Sequence, residues 1–568
     1  MPPAPAPDDG CSAWSPGVAS SIPRQFRPLE TLFRGESTAT PLAEVELLAE
    51  RSGLPPEELV AFRAERLALH ELIVRVTAGI AIPEGVEEED FGHEFRRVAR
   101  RIHETDIVPR LPGFSARHAE LVAKAESLAR ELLARSLFAE DAAPRRAMFH
   151  LSRRSTPTSR ESVAERDYRI VSTFKSSGLA CDDELERATY KALYRVCGAM
   201  LARHGRVAAD AALLAQLAAR QVGNELGSRL IGREIDPLVA AAIVRDGYRP
   251  VVTAPRPVLI SLKGASAAGK SSLRPMLRRV MHEHGIPDAG YGTISPDIWR
   301  RLLLDYDSLG VARKYAGHLT SRELLLVDGK LDRYIRARAE RDNGIAHLVV
   351  DRFRFDSFSG EQVARVLHNT YARHVATMVM YFIVTPPEET VERGWRRALE
   401  RGRYKSVEDF LGHAIEAYTG MPKLFFKWLA YRSPEFGYAF LDNRVPKGQF
   451  PTTIARGNQD AMLVFDPIGL VNIERYQKIN LHARAANEVY PSAEAMEPGR
   501  NLGFLREILR RVPRVEFAAG EGAPPYLSAL NGSFTVLDPS TLAKALTNPE
   551  LAAVLTALAP QSVTGSRA

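Results

Sequence analysis

The chain has 568 residues, 45% of them hydrophobic and 26% charged, with a formal net charge of +7. These proportions fit folded domains with a sizeable core and exclude a low-complexity or wholly disordered protein, and the length predicts two to four domains. No apolar run reaches the roughly eighteen residues of a membrane-spanning helix, and Cys11, Cys181 and Cys197 form neither a metal spacing nor a disulfide framework. The start, MPPAPAPDDG, lacks the basic and apolar regions of a signal peptide, so a cytoplasmic location is expected.

In chain order, residues 1–40 are Pro/Ser-rich and read as a disordered tail. Residues 41–140 carry helical apolar spacing, as in PPEELVAFRAERLALHELIVRV, broken by the acidic run Glu87–Asp90. Residues 141–163 mix Pro, Ser, Thr and Arg without period and predict a linker, and helical spacing resumes over 164–248. From 249 to 466 the pattern alternates between strand and helix, with strands expected at Val258–Leu262, Gly292–Ser295, His347–Asp351, Thr377–Val384 and Tyr438–Asp442. The fold class predicted is therefore α/β, a P-loop NTPase or kinase domain on a five-stranded parallel sheet, preceded by mainly helical regions. Residues 467–568 read as a C-terminal extension, a weakly patterned helical tail with one possible strand at SFTVLD.

The first strand runs into GASAAGKSS, which matches the phosphate-loop spacing G-x-x-x-x-G-K-S. Gly264, Ala265, Ser266, Ala267, Ala268 and Gly269 would turn successive N–H groups toward one anion, helped by the start of the following helix. Lys270 would reach the β- and γ-phosphates, Ser271 would hold Mg²⁺ and Ser272 would touch the α-phosphate, so ATP and Mg²⁺ are the expected cofactors.

Further candidates follow later strands. Asp297 lies just past the second strand, where open α/β sheets place their ligand crevice, and could accept a proton from an acceptor hydroxyl; it also suits a helix cap. Arg300 and Arg301, a turn further on, are expected to grip an anionic acceptor. Asp351 ends the third strand as a Walker-B-like acid for Mg²⁺, and Arg352 and Arg354 follow as further acceptor contacts. After the fourth strand come Arg393, Arg396, Arg397, Arg401 and Arg403, at the position of a lid. Arg393 and Arg401 are assigned to the nucleotide, and Arg397 to the transferring phosphoryl group.

In this order of motifs, continued by "DIWR", "LVVD" and a late "AFLDN", the stretch Arg249–Asp466 resembles the zeta-toxin family of P-loop kinases, the toxins of toxin–antitoxin pairs. The resemblance implies ATP-dependent phosphorylation of a hydroxyl on a UDP-activated amino sugar. It assigns Asp297 as catalytic base, and Lys270 and Ser271 to nucleotide and Mg²⁺. The chain departs from the family at Ser295, where an acid is usual, and at Asp351-Arg352-Phe353, where Glu/Asp-Gly-Thr is usual. The expectation is thus a phosphotransferase acting on a small-molecule hydroxyl. One alternative is a polynucleotide 5′-hydroxyl kinase, which the basic charge permits. Another is an ATP-gated regulatory module whose helical N-terminal half docks a protein partner or inhibitor.

Overall fold

The computed structural model describes residues 10–85, 89–139, 161–288, 290–352, 368, 370–446 and 448–561, without the side chains of Ser271 and Pro275. Residues 1–9, the first half of the acidic run Glu87–Asp90, nearly all of the linker expected at 141–163, and Arg354 lie outside the described residues.

The five expected strands form, as β1 (Val258–Gly264), β2 (Tyr291–Ile294), β3 (His347–Val350), β4 (Thr377–Val384) and β5 (Glu435–Asp442). They pair in the order β2-β3-β1-β4-β5, every pair parallel. All seven residues of β1 are buried, Ser261 and Lys263 among them, and Val258, Leu259, Ile260 and Leu262 give the apolar signal of a central parallel strand covered on both faces. The order puts β3 and β4 on opposite sides of β1, so a crevice opens at their carboxyl ends.

The sheet does not stop at five strands; it has ten. Beyond β5 it continues through β6 (Thr452–Asn458), β7 (Ala461–Val464), β8 (Arg514–Ala518), β9 (Pro525–Leu530) and β10 (Ser533–Val536). All the added pairs are antiparallel except β7 with β8. These strands are short or half-exposed, so their apolar signal is weak; in β6 only Ile454 and Ala455 are buried. The residues read as a C-terminal extension therefore carry three strands of the same sheet. Two hairpins in it end alike. Asp466 after β7 and Asp538 after β10 each cap a helix that opens with proline, accepting from Ile468 N at 3.0 Å and Ser540 N at 2.9 Å.

The described part of the expected tail is packed, not disordered. Leu32 and Phe33 are buried, Thr31 N donates to Leu319 O at 2.9 Å, and Trp14 Nε1 donates to Glu392 at 2.9 Å. A segment too poor in apolar residues to build its own core is ordered here by docking on the rest of the chain.

The helix Ala64–Gly79 joins the N-terminal helices to the sheet. It is buried almost all round and touches β2 and the helices Ser228–Asp246 and Ser321–Asp342. Four of its polar residues are paired inside the core. Arg66 donates to both Glu323 oxygens at 2.5 and 2.6 Å, and Lys330 Nζ donates to His70 Nδ1 at 3.0 Å and Ser228 Oγ at 2.7 Å. With Nδ1 accepting from Lys330, His70 carries its proton on Nε2 and donates it to Glu323 at 2.6 Å. Glu71 pairs with Arg75 at 2.5 Å. Such charges are tolerated in a core only when each finds a partner. No helix among the described residues is long and apolar enough to cross a membrane.

Candidate active site

The chain leaves β1 at Gly264 and turns through the loop that carries the G-x-x-x-x-G-K-S spacing. Of its two signature glycines, only Gly269 is required for its backbone angle, φ +93°. Gly264 stays in the strand, paired with Ile383, and a Cβ there would stand 3.1 Å from the Ile383 Cβ. Ala267 takes the second left-handed angle, φ +60°. Two side chains from neighbouring strand ends hold the turn: Asn443 Nδ2 donates to Ala268 O at 2.7 Å, and Thr385 Oγ1 donates to the same oxygen at 3.1 Å. Lys270 folds back over the loop, Nζ donating to Gly264 O and Ala265 O, both at 2.9 Å. Burial lowers its pKa, against the pull of Asp351 and Asp297. A 3₁₀ turn, Ser271–Leu273, then leads into the helix Arg274–Glu283.

Asp297 follows β2 in the 3₁₀ turn Pro296–Trp299, and its carboxylate caps neither that turn nor the four-residue helix after it. Instead Oδ1 accepts from Arg300 Nε at 3.0 Å and Oδ2 pairs with Arg403 Nη2 at 2.6 Å. Burial opposes its ionisation, but Arg403 and Arg300 outweigh that and hold the carboxyl well below its usual range. Asp351 follows β3, its N–H bonded to Ile294 O at 2.8 Å. Burial raises its pKa, against Lys270 and Arg274, with the Asp297 charge adding to the rise.

The arginine run lies on the helix Pro387–Arg401 and the loop after it. Gly394 lets this helix press on the next: a Cβ there would fall 2.0 Å from the Phe410 ring. Arg393 Nη2 donates to Glu389 at 2.7 Å and to Asn443 O at 2.6 Å, tying the helix to the end of β5. Arg401 pairs with Glu89 at 2.8 Å.

A cavity of about 520 Å³ gathers these elements. Lining it are Ser266, Ala267, Gly269, Lys270 and Ser272 from the loop, Asp297 and Asp351 from the strand ends, and Arg393, Arg396, Arg397, Arg401 and Arg403. The run therefore forms a wall of the cavity rather than a solvated face. Glu389, Glu392 and Glu400 line the same wall, so its charge is less one-sided than the arginines alone imply.

The arginines expected to grip the acceptor are elsewhere. Arg300 braces Asp297 and donates to Gly317 O at 2.6 Å and Thr320 Oγ1 at 2.7 Å. Arg301 lies over the Tyr306 ring and donates to Arg401 O at 3.2 Å. Arg352 pairs with Asp332 at 2.6 Å and Asp328 at 3.0 Å. None of the three lines the cavity. Each is held by carboxylates or carbonyls of neighbouring segments, which local sequence does not reveal. What the sequence reading missed is the segment Asn443, Arg444, Val445, Pro446, Gly448 and Gln449, the far wall. Its signal was present: a polar, Pro/Gly-bearing stretch at the carboxyl end of a parallel strand.

No protein-family model matches the chain, and no curated protein does. Among solved structures, the complex AvrRxo1-ORF1:AvrRxo1-ORF2 with sulphate ions is 16% identical with a TM-score of 0.30, over 44% of this chain and 76% of that one. The native form of that complex is 14% identical with a TM-score of 0.28, over 47% and 78%. The PezAT chromosomal toxin–antitoxin system of the human pathogen Streptococcus pneumoniae is 16% identical with a TM-score of 0.26, over 36% and 75%. These likenesses are distant and partial, and the chemistry rests on the geometry of the site.

Proposed function

We propose that this chain is a zeta-toxin-like kinase that transfers the γ-phosphoryl group of ATP to a hydroxyl of a small molecule. One observation carries the reading: a single cavity brings together the phosphate-loop lysine, a carboxylate at the end of each of two parallel strands, and five arginines from a separate helix and loop. Phosphoryl transfer asks for this set, since its loose transition state needs charge neutralisation and alignment more than covalent chemistry. Lys270 and the lid arginines neutralise the phosphates, and Asp297, held ionised, orients the acceptor hydroxyl and takes its proton late.

No cluster of three metal-binding side chains exists among the described residues. A Mg²⁺ that keeps its waters and shares one carboxylate with substrate phosphates fits this arrangement, with Asp351 as that carboxylate. When bound, the ion would offset phosphate charge. The cavity volume lies within the roughly 300–1,000 Å³ typical of small-molecule sites. Among the described residues the lining holds no aromatic side chain that could stack on a base.

The test is a transfer assay with γ-labelled ATP against pooled metabolites, nucleotide sugars and 5′-hydroxyl oligonucleotides. Labelling of a small molecule that disappears in Lys270→Ala supports the reading. Labelling unchanged in that variant, or confined to oligonucleotides, overturns it.

A further inference from the structure

Each oxygen of Asp297 already faces a guanidinium group, although 33% of its side chain is exposed and it lines the cavity, so an acceptor hydroxyl must compete with two cations for this carboxylate. The two partners differ. Arg300 is fixed, with its Nη1 bound to Gly317 O and Thr320 Oγ1 and its side chain only 13% exposed. Arg403 reaches across from the lid side, lines the cavity, and leaves 25% of its side chain exposed.

The backbone beneath Arg403 is pinned. Gly402 ends the lid helix in a left-handed turn at φ +66°, and Ser406 caps the helix Val407–Leu429, its Oγ accepting from Asp409 N at 3.0 Å. Between them Tyr404 packs against Trp395, with ring centroids 5.9 Å apart, and onto the small apolar cluster of Leu304, Tyr306 and Leu309. Any movement of the guanidinium is therefore a side-chain swing. A triphosphate seated by Lys270 in the same cavity would present several negative charges against the single one of Asp297.

We propose that Arg403 is a positioning residue that exchanges partners, pairing with Asp297 before nucleotide binds and with the terminal phosphate afterwards. This rests on the kinase reading above. The swing frees Asp297 Oδ2 of its competing cation, and that oxygen then accepts the hydrogen of the acceptor hydroxyl. The acceptor oxygen bonds to the γ-phosphorus as the bond from that phosphorus to the β-phosphate oxygen breaks. The proton passes to Asp297, and ADP leaves with the electron pair. The device imposes an order, with the acceptor taken productively only after nucleotide.

Calorimetric titration of the full chain with Mg·ATP and Mg·ADP tests this without needing the acceptor. Arg403→Ala should weaken Mg·ATP about fivefold and Mg·ADP little, the size expected of one partly exposed charge pair. Asp297→Asn should have the opposite sign, tightening Mg·ATP about fivefold by releasing Arg403. That gain should vanish when Asp297→Asn is made in the Arg403→Ala background, and Arg403→Lys should restore most of the Mg·ATP affinity. Equal losses for ATP and ADP in Arg403→Ala overturn the proposal, as does an Asp297→Asn gain that survives without Arg403. If the wild type binds neither nucleotide, the kinase reading itself falls and takes this one with it. Normal binding lost only in Lys270→Ala, with Arg403 and Asp297 variants silent, leaves the kinase reading standing and refutes the exchange.

Discussion

Gly269→Ala probes the phosphate loop at its tightest point, and two costs add. An alanine at φ +93° sits outside the comfortable range of an L-residue, which costs about 1–2 kcal/mol. Its Cβ would also lie 2.1 Å from Asn443 Nδ2, a contact the native arrangement cannot contain. Asn443 is only 5% exposed, and its amide holds Ala268 O at 2.7 Å. Displacing it forfeits a hydrogen bond worth about 1 kcal/mol and leaves Ala268 O with Thr385 alone among the described groups. The expected loss of stability is therefore about 2–3 kcal/mol, read from urea unfolding followed by circular dichroism. Mg·ATP affinity, measured by calorimetry, should fall at least about tenfold, because the N–H cradle depends on this turn. The double variant with Asn443→Ala separates the costs. It removes the clash together with the bond, so it should be no less stable than Gly269→Ala alone, a coupling of about 1 kcal/mol. Wild-type stability and affinity in Gly269→Ala would refute the reasoning, and strict additivity in the double variant would refute the Asn443 half of it.

Asp297→Asn should lower kcat by about 10²–10⁴, while the urea midpoint moves little because Arg300 keeps Gly317 O and Thr320. Arg397→Ala should lower kcat more than it raises KM for ATP, since charge neutralisation matters most in the transition state; a pure KM effect would make Arg397 a binding residue only. Glu323→Ala leaves Arg66 and His70 without their shared carboxylate and should cost about 3–5 kcal/mol in urea unfolding. The same network sets a pH dependence. Burial first, and Lys330 second, lower the His70 pKa to about 4, so between about pH 6.5 and 4 the unfolded chain binds a proton that the folded chain refuses. Stability should thus be full above about pH 6.5 and fall by up to about 3 kcal/mol toward pH 4. His70→Gln should flatten that slope in urea midpoints taken at several pH values, and an unchanged slope would move its source elsewhere.

The parallel centre was legible because burial on both faces writes itself as dense apolar stretches, as in VLISL and MYFIV. β6 to β9 were not, since strands with an exposed face show only a few apolar positions, and TTIARGN resembles a loop, whereas SFTVLD was legible as a possible strand and holds β10. The loop after β1 was legible as a turn, and the cause of its two glycines only in half: Gly269 answers to its backbone angle, Gly264 to the approach of Ile383. Arg352 shows where local reading fails. Its place after β3 suggested an acceptor contact, but Asp328 and Asp332, one helical turn apart on Ser321–Asp342, claim it. Arg403 shows the converse, an arginine two residues past its helix that Gly402 turns toward Asp297.

The strand order also has a consequence for how the chain reaches its fold. In the parallel centre β1 must find partners far along the chain, pairing Leu259 with Leu348 and Val258 with Thr377. From β5 on, several pairings join close neighbours, such as Asp442 with Thr452, Ala455 with Val464 and Leu530 with Ser533. Closing the longer loops costs on the order of 2 kcal/mol more in chain entropy, and topologies rich in distant pairings fold slowly. The hairpins at the carboxyl side can therefore form first and cheaply, while the crevice at the carboxyl ends of β1, β3 and β4, where the most distant strands meet, is completed last.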